Sequence, residues 1–334
     1  MSRIVVLGAG SWGTTIAKVI ADGGSEVTLW ARRSSQAESI SKFRTNEDYL
    51  PGIELPEKLS ASSDIAWSLS GAEQIYIAVP SQQLRENLSE WKDLIPKSAT
   101  LVSLMKGLEL GTGKRMSEVM REATNLPASQ ITVLSGPNLA LEIARGEPAA
   151  AVCAGESQER AAEVAKVCSS EYFTVFTNND VIGTELGGVL KNLIAVAIGI
   201  VSGIGYGQNT KASIMTRGLA EITSFAIAHG ARRRTMFGLA GLGDLIATSE
   251  SSLSRNFRAG EMLGQGIEKT EVLSRLKQTA EGLSSVEPVL SIAERLGIDM
   301  PIVKQVSDVL EGRMKPTEFG KQLNLADATE VESE

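Results

Sequence analysis

The first thirteen residues constrain the fold most. Ile4-Val5-Val6-Leu7 is a short apolar run, and Gly8-Ala9-Gly10-Ser11-Trp12-Gly13 follows it directly. A β-branched apolar run ended by glycine reads as a buried strand. From Ser11 onward, Ile16, Val19 and Ile20 recur at helical spacing, and Gly23-Gly24 is a helix stop. Strand, glycine turn and helix in that order fit the GxGxxG fingerprint. Gly8 permits the tight turn, Gly10 lets a pyrophosphate approach the backbone, and Gly13 lets the helix pack on the strand. A phosphate then meets free N–H groups at the positive helix end. The chain is expected to bind a dinucleotide here.

The alternation continues. Residues 26–30, 74–79, 99–104, 131–134 and 149–154 read as strands, with helical patterns at 82–94, 114–123 and 157–168 between them. Such alternation implies βαβ units and a parallel sheet. It stops near Thr177. Beyond it the periods are helical: 183–203, 214–229, 258–265, 270–276, 284–296 and 302–310. Thr177-Asn178-Asn179-Asp180 is a polar cluster suited to a turn or an N-cap. The expected organisation is an α/β domain over 1–177, an all-helical domain over 178–325, and a frayed acidic tail over 326–334.

Composition removes several function classes. The 334 residues carry a formal charge of −7, so general binding to nucleic acid is not expected. Cys153 and Cys168 have no CxxC spacing and sit among Ala and Val, which reads as core rather than disulfide or zinc site. His229 is the only histidine. That excludes any site needing two imidazoles and leaves no metal expected. His229 precedes Gly230 at the end of a helical pattern and reads as a helix C-terminal residue. No charged segment, apolar core and cleavage site stand in order at the N-terminus, so no signal peptide is expected. Residues 192–210 are uncharged and borderline in length for a membrane span. They read as a buried core helix, with Gly199, Gly203 and Gly207 spaced for close backbone approach.

Ligands in such sheets bind at the carboxyl ends of strands. The second strand ends at Trp30-Ala31-Arg32-Arg33, with arginines where an NADH-selective site has a carboxylate. Arg32 and Arg33 suit a 2′-phosphate, favouring NADPH/NADP over NADH/NAD. Met105-Lys106-Gly107 places a lysine at another strand end, and Ser135-Gly136-Pro137-Asn138-Leu139-Ala140 ends a third. In the helical half, Gly187-Gly188 precede Lys191 on an apolar helix. A buried lysine needs a partner or a task, and Asp244, in Gly241-Leu242-Gly243-Asp244, is a candidate partner. Ser254-Arg255-Asn256 offers a guanidinium with two hydrogen-bonding neighbours, a fit for a phosphate monoester.

Taken together, GAGSWGT (8–14), NEDYLPG (46–52), MKGLE (105–109), SGPNLALE (135–142), LKN (190–192), GLGDL (241–245) and SRN (254–256) resemble the bacterial type of NAD(P)-dependent glycerol-3-phosphate dehydrogenase. The resemblance runs from Ile4 to about Leu323. It implies a Rossmann-type N-terminal domain with a mostly parallel sheet, and an all-α C-terminal domain of the 6-phosphogluconate-dehydrogenase-like kind. It implies reversible hydride transfer between NAD(P)H and C2 of dihydroxyacetone phosphate, with Lys191 handling the proton. Ser11, Trp12, Arg32, Arg33, Lys106, Ala140, Arg255 and Glu281 would contact the cofactor. Lys106, Gly136, Asn138, Lys191, Asp244, Ser254, Arg255 and Asn256 would contact the substrate. Where that family often carries Ser-Phe or Thr-Phe after Gly-Pro, this chain has Asn138-Leu139, and Ala280 stands where Val is frequent before Glu281-Gly282. The resemblance further implies a cytoplasmic homodimer serving glycerophospholipid synthesis. The rival readings are a β-hydroxyacid or 6-phosphogluconate-type dehydrogenase and a non-catalytic dinucleotide sensor.

Overall fold

The computed structural model describes residues 3–276 and 280–321. The tail 326–334 lies outside the described residues. The chain divides into two units, Met1–Glu109 with Lys114–Glu185, and Leu110–Gly113 with Leu186–Glu334.

In the first unit, strands and helices alternate as β1 (Ile4–Leu7), α1 (Ser11–Asp22), β2 (Val27–Trp30), α2 (Ser34–Phe43), β3 (Leu59–Ser62), α3 (Ile65–Leu69) and β4 (Gln74–Ile77). Then come α4 (Leu84–Trp91), β5 (Thr100–Ser103), α5 (Met116–Thr124), β6 (Ile131–Ser135), α6 (Ala140–Ala144), β7 (Ala149–Gly155), α7 (Gln158–Val167) and β8 (Phe173–Asn178). The strands form one sheet in the order β3-β2-β1-β4-β5-β6-β7-β8. Among the described residues, only the strand pair β6 and β7 runs antiparallel.

Successive side chains on a strand point to opposite faces. Ile4 and Val6 join one core with Ile16, Ile20, Leu29 and Tyr76, whereas Val5 and Leu7 join another with Ile75, Ile77, Leu88 and Leu101. Burial on both faces is why the strands read as unbroken apolar runs. Cys153 and Cys168 are fully buried free thiols in the first of these cores, and burial pushes each up to about 12. They are core residues, as their surroundings suggest.

Two strands are additional to those expected, and both lie at sheet edges. β3 is mostly polar and only Leu59 is buried. β8 buries Phe173 and Val175 and exposes the residues between, a half-covered strand. After β8, the Asp180 carboxylate accepts from the Gly183 N–H at 2.9 Å, so the polar cluster does cap the next helix.

That helix is α8 (Val181–Ile204), and most of it belongs to the second unit. It is followed by α9 (Gln208–Ala228), α10 (Arg233–Met236), α11 (Asp244–Glu250), α12 (Arg255–Gly264), α13 (Lys269–Arg275), α14 (Glu281–Leu296) and α15 (Pro301–Leu310). α8 is long and apolar enough to cross a membrane, but 83% of its most apolar window is buried inside the protein. It is a core helix, as the sequence suggests. Gly199 and Gly203 on α8 face Gly260 and Gly264 on α12. A methyl group at any of the four would overlap the facing backbone. Gly207 has no such role: it precedes α9, with open space around it. His229 closes α9, stacked on Phe225 with Nδ1 2.8 Å from the Phe225 carbonyl oxygen.

Candidate active site

The glycine loop lies between β1 and α1. Gly8 has φ +114°, a region that L side chains avoid, and a Cβ there would come within 2.6 Å of the Ala78 oxygen. A Cβ at Gly13 would run into the Gly8 carbonyl, whereas one at Gly10 would meet nothing within 4 Å. Gly8 and Gly13 thus close the turn, and Gly10 leaves open space beside the helix start. Helix geometry leaves the N–H groups of Ser11, Trp12 and Gly13 without intrahelical acceptors. No carboxylate stands in the first turn. This cradle fits a pyrophosphate.

The loop is buttressed from a distance. Asn46 is buried, and its Nδ2 donates to the Ala9 carbonyl at 3.0 Å and to Thr14 Oγ1 at 2.8 Å. Gln36 Nε2 donates to the same carbonyl at 2.7 Å, and Ser11 Oγ donates to the Tyr49 carbonyl at 2.9 Å. This explains the NEDYLPG segment, whose first and fourth residues hold the glycine loop. Past β2, Arg32 is exposed and Arg33 pairs with Asp48 at 2.9 Å. Lys106, past β5, donates to the Gly136 carbonyl at 3.0 Å. Ala140 opens α6, and its carbonyl accepts from Thr15 Oγ1 at 3.2 Å.

In the second unit the site gathers around Lys191. Gly187 stands one turn earlier on α8, and a side chain there would strike the Ala240 carbonyl. Its absence lets the π-helical turn Leu239–Gly243 settle on α8 and deliver Asp244 to the lysine. Lys191 Nζ lies 3.0 Å from Asp244 Oδ1, with both side chains almost fully buried at 7% and 2% exposure. Lys191 also donates to Thr248 Oγ1, and Thr248 donates to Asp244 Oδ1 at 3.1 Å. The buried ammonium therefore has the partners that burial demands. Thr248 was not among the expected residues. Its signal was one helical turn of spacing from Asp244, which placed both on one face.

The SRN residues divide their work. Ser254 caps α12 by accepting from the Phe257 N–H at 3.2 Å. Arg255 is exposed at the first helical position. Asn256 donates to Asn192 Oδ1 at 2.8 Å and accepts from the Gly282 N–H at 3.0 Å. It ties α12 to α8, beside the lysine, and to α14, where Glu281 is the first residue.

The sequence matches the family described as NAD-dependent glycerol-3-phosphate dehydrogenase, its N-terminus over residues 3–161 and its C-terminus over 180–321. The chain belongs to that family. It is 54% identical to a glycerol-3-phosphate dehydrogenase of Leifsonia xyli over 98% of this chain and 89% of the relative. It is 52% identical to that of Corynebacterium glutamicum over 96% of each. The crystal structure of glycerol-3-phosphate dehydrogenase from Coxiella burnetii superposes with a TM-score of 0.91 at 35% identity, covering 98% of this chain and 99% of that one. As a glycerol-3-phosphate dehydrogenase family member, the chain has the Rossmann-type sheet unit and helical unit that the motifs implied. The motif-by-motif resemblance thus found the right family.

Proposed function

We propose that this chain interconverts dihydroxyacetone phosphate and sn-glycerol 3-phosphate, with Lys191 as the group that moves the proton. The observation that carries the assignment is the buried triangle of Lys191, Asp244 and Thr248. A bound nicotinamide dinucleotide supplies the hydride to C2 in reduction and accepts it in oxidation. Gly8, Gly10, Gly13, Ser11 and Trp12 would hold its pyrophosphate end. Arg32 and Arg33 would take a 2′-phosphate, which gives NADPH the advantage over NADH.

In reduction, negative charge grows on the substrate's ketone oxygen. The Lys191 ammonium stabilises that charge and transfers a proton to it, completing the alcohol. In oxidation the neutral amine takes the hydroxyl proton back. Asp244 and Thr248 keep Nζ in place through both steps. Arg255 offers the fork of donors that a phosphate monoester accepts, and this remote grip orients C2. Asn256 spends one amide proton on Asn192 and has a second for the same ligand. Lys106 and Glu281 would complete the contacts. We also propose, as the resemblance implies, that the chain acts as a cytoplasmic homodimer supplying glycerophospholipid synthesis.

The test is Lys191→Met, which keeps the length and removes the charge. NADPH absorbance is followed on adding dihydroxyacetone phosphate, and dinucleotide binding is measured separately. The expected result is kcat lower by about 10²–10⁴-fold with the dinucleotide Kd unchanged. Turnover near that of the wild type sinks the assignment.

A further inference from the structure

Asp48 is held beside the glycine loop by its neighbours. Two residues before it, Asn46 bonds the Ala9 carbonyl and Thr14 Oγ1. One residue after it, the Tyr49 carbonyl accepts from Ser11 Oγ. The N–H groups of Tyr49 and Leu50 donate to the Asn46 carbonyl at 3.0 and 2.7 Å and close the turn that carries Asp48. The two carboxylates of this turn go separate ways. Glu47 accepts from the Gly52 N–H at 3.2 Å and stays within its own segment. Asp48 reaches across to the end of β2, where its Oδ2 lies 2.9 Å from the Arg33 guanidinium. Both members of that pair are more than half exposed, so a ligand has access to them.

The end of the second strand is where a dinucleotide fold tells a ribose 2′-hydroxyl from a 2′-phosphate. A guanidinium that bonds a carboxylate through one nitrogen keeps other N–H donors for a phosphate. Carboxylate and phosphate then stand on neighbouring edges of one guanidinium. A phosphate monoester carries about −1.5 to −2 charges near neutral pH, so the carboxylate repels it. A ribose hydroxyl is neutral and meets no such penalty. We propose that Asp48 is a specificity-determining residue, whose carboxylate competes with a 2′-phosphate for Arg33 and narrows the preference for NADPH over NADH. This role rests on the reading of Arg33 as a 2′-phosphate ligand. Arginines alone after β2 would make a strongly NADPH-selective site, and Asp48 keeps NADH within reach of it.

The test is a cycle between the two residues on the full chain. Steady-state KM values for NADPH and NADH, with dihydroxyacetone phosphate as substrate, are measured for wild type, Asp48→Asn, Arg33→Ser and the double variant. Asparagine keeps the shape of Asp48 and removes its charge. Asp48→Asn is expected to raise the ratio of KM for NADH to KM for NADPH about three- to tenfold, the size of a screened repulsion at close range. That gain should shrink at about 1 M salt, where the screening length falls to about 3 Å. In the Arg33→Ser background most of the gain should vanish. A gain of the same size without Arg33 overturns the competition, because Asp48 would then repel the phosphate unaided. An unchanged ratio in Asp48→Asn, with Arg33→Ser lowering it, overturns the proposal and leaves the 2′-phosphate reading standing. An unchanged ratio in Arg33→Ser takes down that reading and the role of Asp48 with it.

Discussion

Thr248 stands one turn beyond Asp244 on α11 and donates its hydroxyl proton to the Asp244 carboxylate while accepting from Lys191. One hydroxyl thus bonds both members of a buried ion pair. Thr248→Val preserves the shape and removes both bonds. Each charge-assisted bond contributes about 1.5–3 kcal/mol, so kcat is expected to fall about 10–100-fold with KM for the dinucleotide unchanged. Thr248→Ser should restore most of the loss. Equal kcat in the valine variant and wild type would show that the hydroxyl only fills space.

The Glu221 carboxylate accepts from the N–H groups of Ile302 and Val303 at 2.9 and 3.0 Å, at the start of α15. Burial pushes this carboxyl up to about 7. Asp299 adds to the rise, while the two N–H groups and Arg217 oppose it. A carboxyl raised on folding binds its proton more tightly in the folded chain. Its contribution to stability is complete below about pH 4.5 and is lost as the pH rises through about 7. Glu185, raised by its own burial, acts in the same sense, so the measurement must be a difference. The Tm of wild type minus that of Glu221→Gln should be more favourable at about pH 5.5 than at about pH 8. A difference independent of pH refutes the shift.

Helix propensity and packing make opposite predictions at Gly199. Alanine for glycine inside a helix normally stabilises by up to about 1 kcal/mol. Here the added methyl group meets the α12 backbone, which has no side chain to swing aside. Overpacking of this kind costs about 1–3 kcal/mol, and more when backbone must move. Gly199→Ala should therefore lower the midpoint of denaturant unfolding. A raised midpoint would mean that the two helices part easily.

Arg33 shares its charge with Asp48, and both side chains are more than half exposed, at 54% and 67%. Such a pair contributes little, so on the proposed reading Arg33 can exchange it for a 2′-phosphate. Arg32→Ser combined with Arg33→Ser should raise KM for NADPH about tenfold or more and KM for NADH less than twofold, one phosphate contact being a charge-assisted pair. Steady-state kinetics with both cofactors decides, and equal increases exclude the 2′-phosphate role.

What could be read from sequence follows from the range of the interactions. β1, the glycine turn and α1 are local, and their signals lie within twenty residues. The central strands are buried on both faces, so their apolar runs were plain. β3 and β8 pack on one face at the edges, and Leu59 alone cannot announce a strand. Lys191 and Asp244 were legible because burying a charge demands a partner. The part of Asn46 was hidden. Nothing local in Asn46-Glu47-Asp48 says that the first of them will grip a carbonyl thirty-seven residues earlier in the chain. Likewise the Gly260 and Gly264 pair on α12 acquires meaning only opposite Gly199 and Gly203.

The Asn46–Tyr49 buttress has a consequence for altering the cofactor. The segment that clamps the phosphate loop through Asn46 and Tyr49 also carries Asp48, the partner of Arg33. If Arg32 and Arg33 take the 2′-phosphate as proposed, choice of cofactor and tightness of grip are linked through the four consecutive residues 46–49. A redesign confined to the arginines would remove the Arg33 partner of Asp48. Exchanging one cofactor for the other is therefore a problem of re-tensioning a whole loop, with Asp48 as the position to change alongside Arg32 and Arg33.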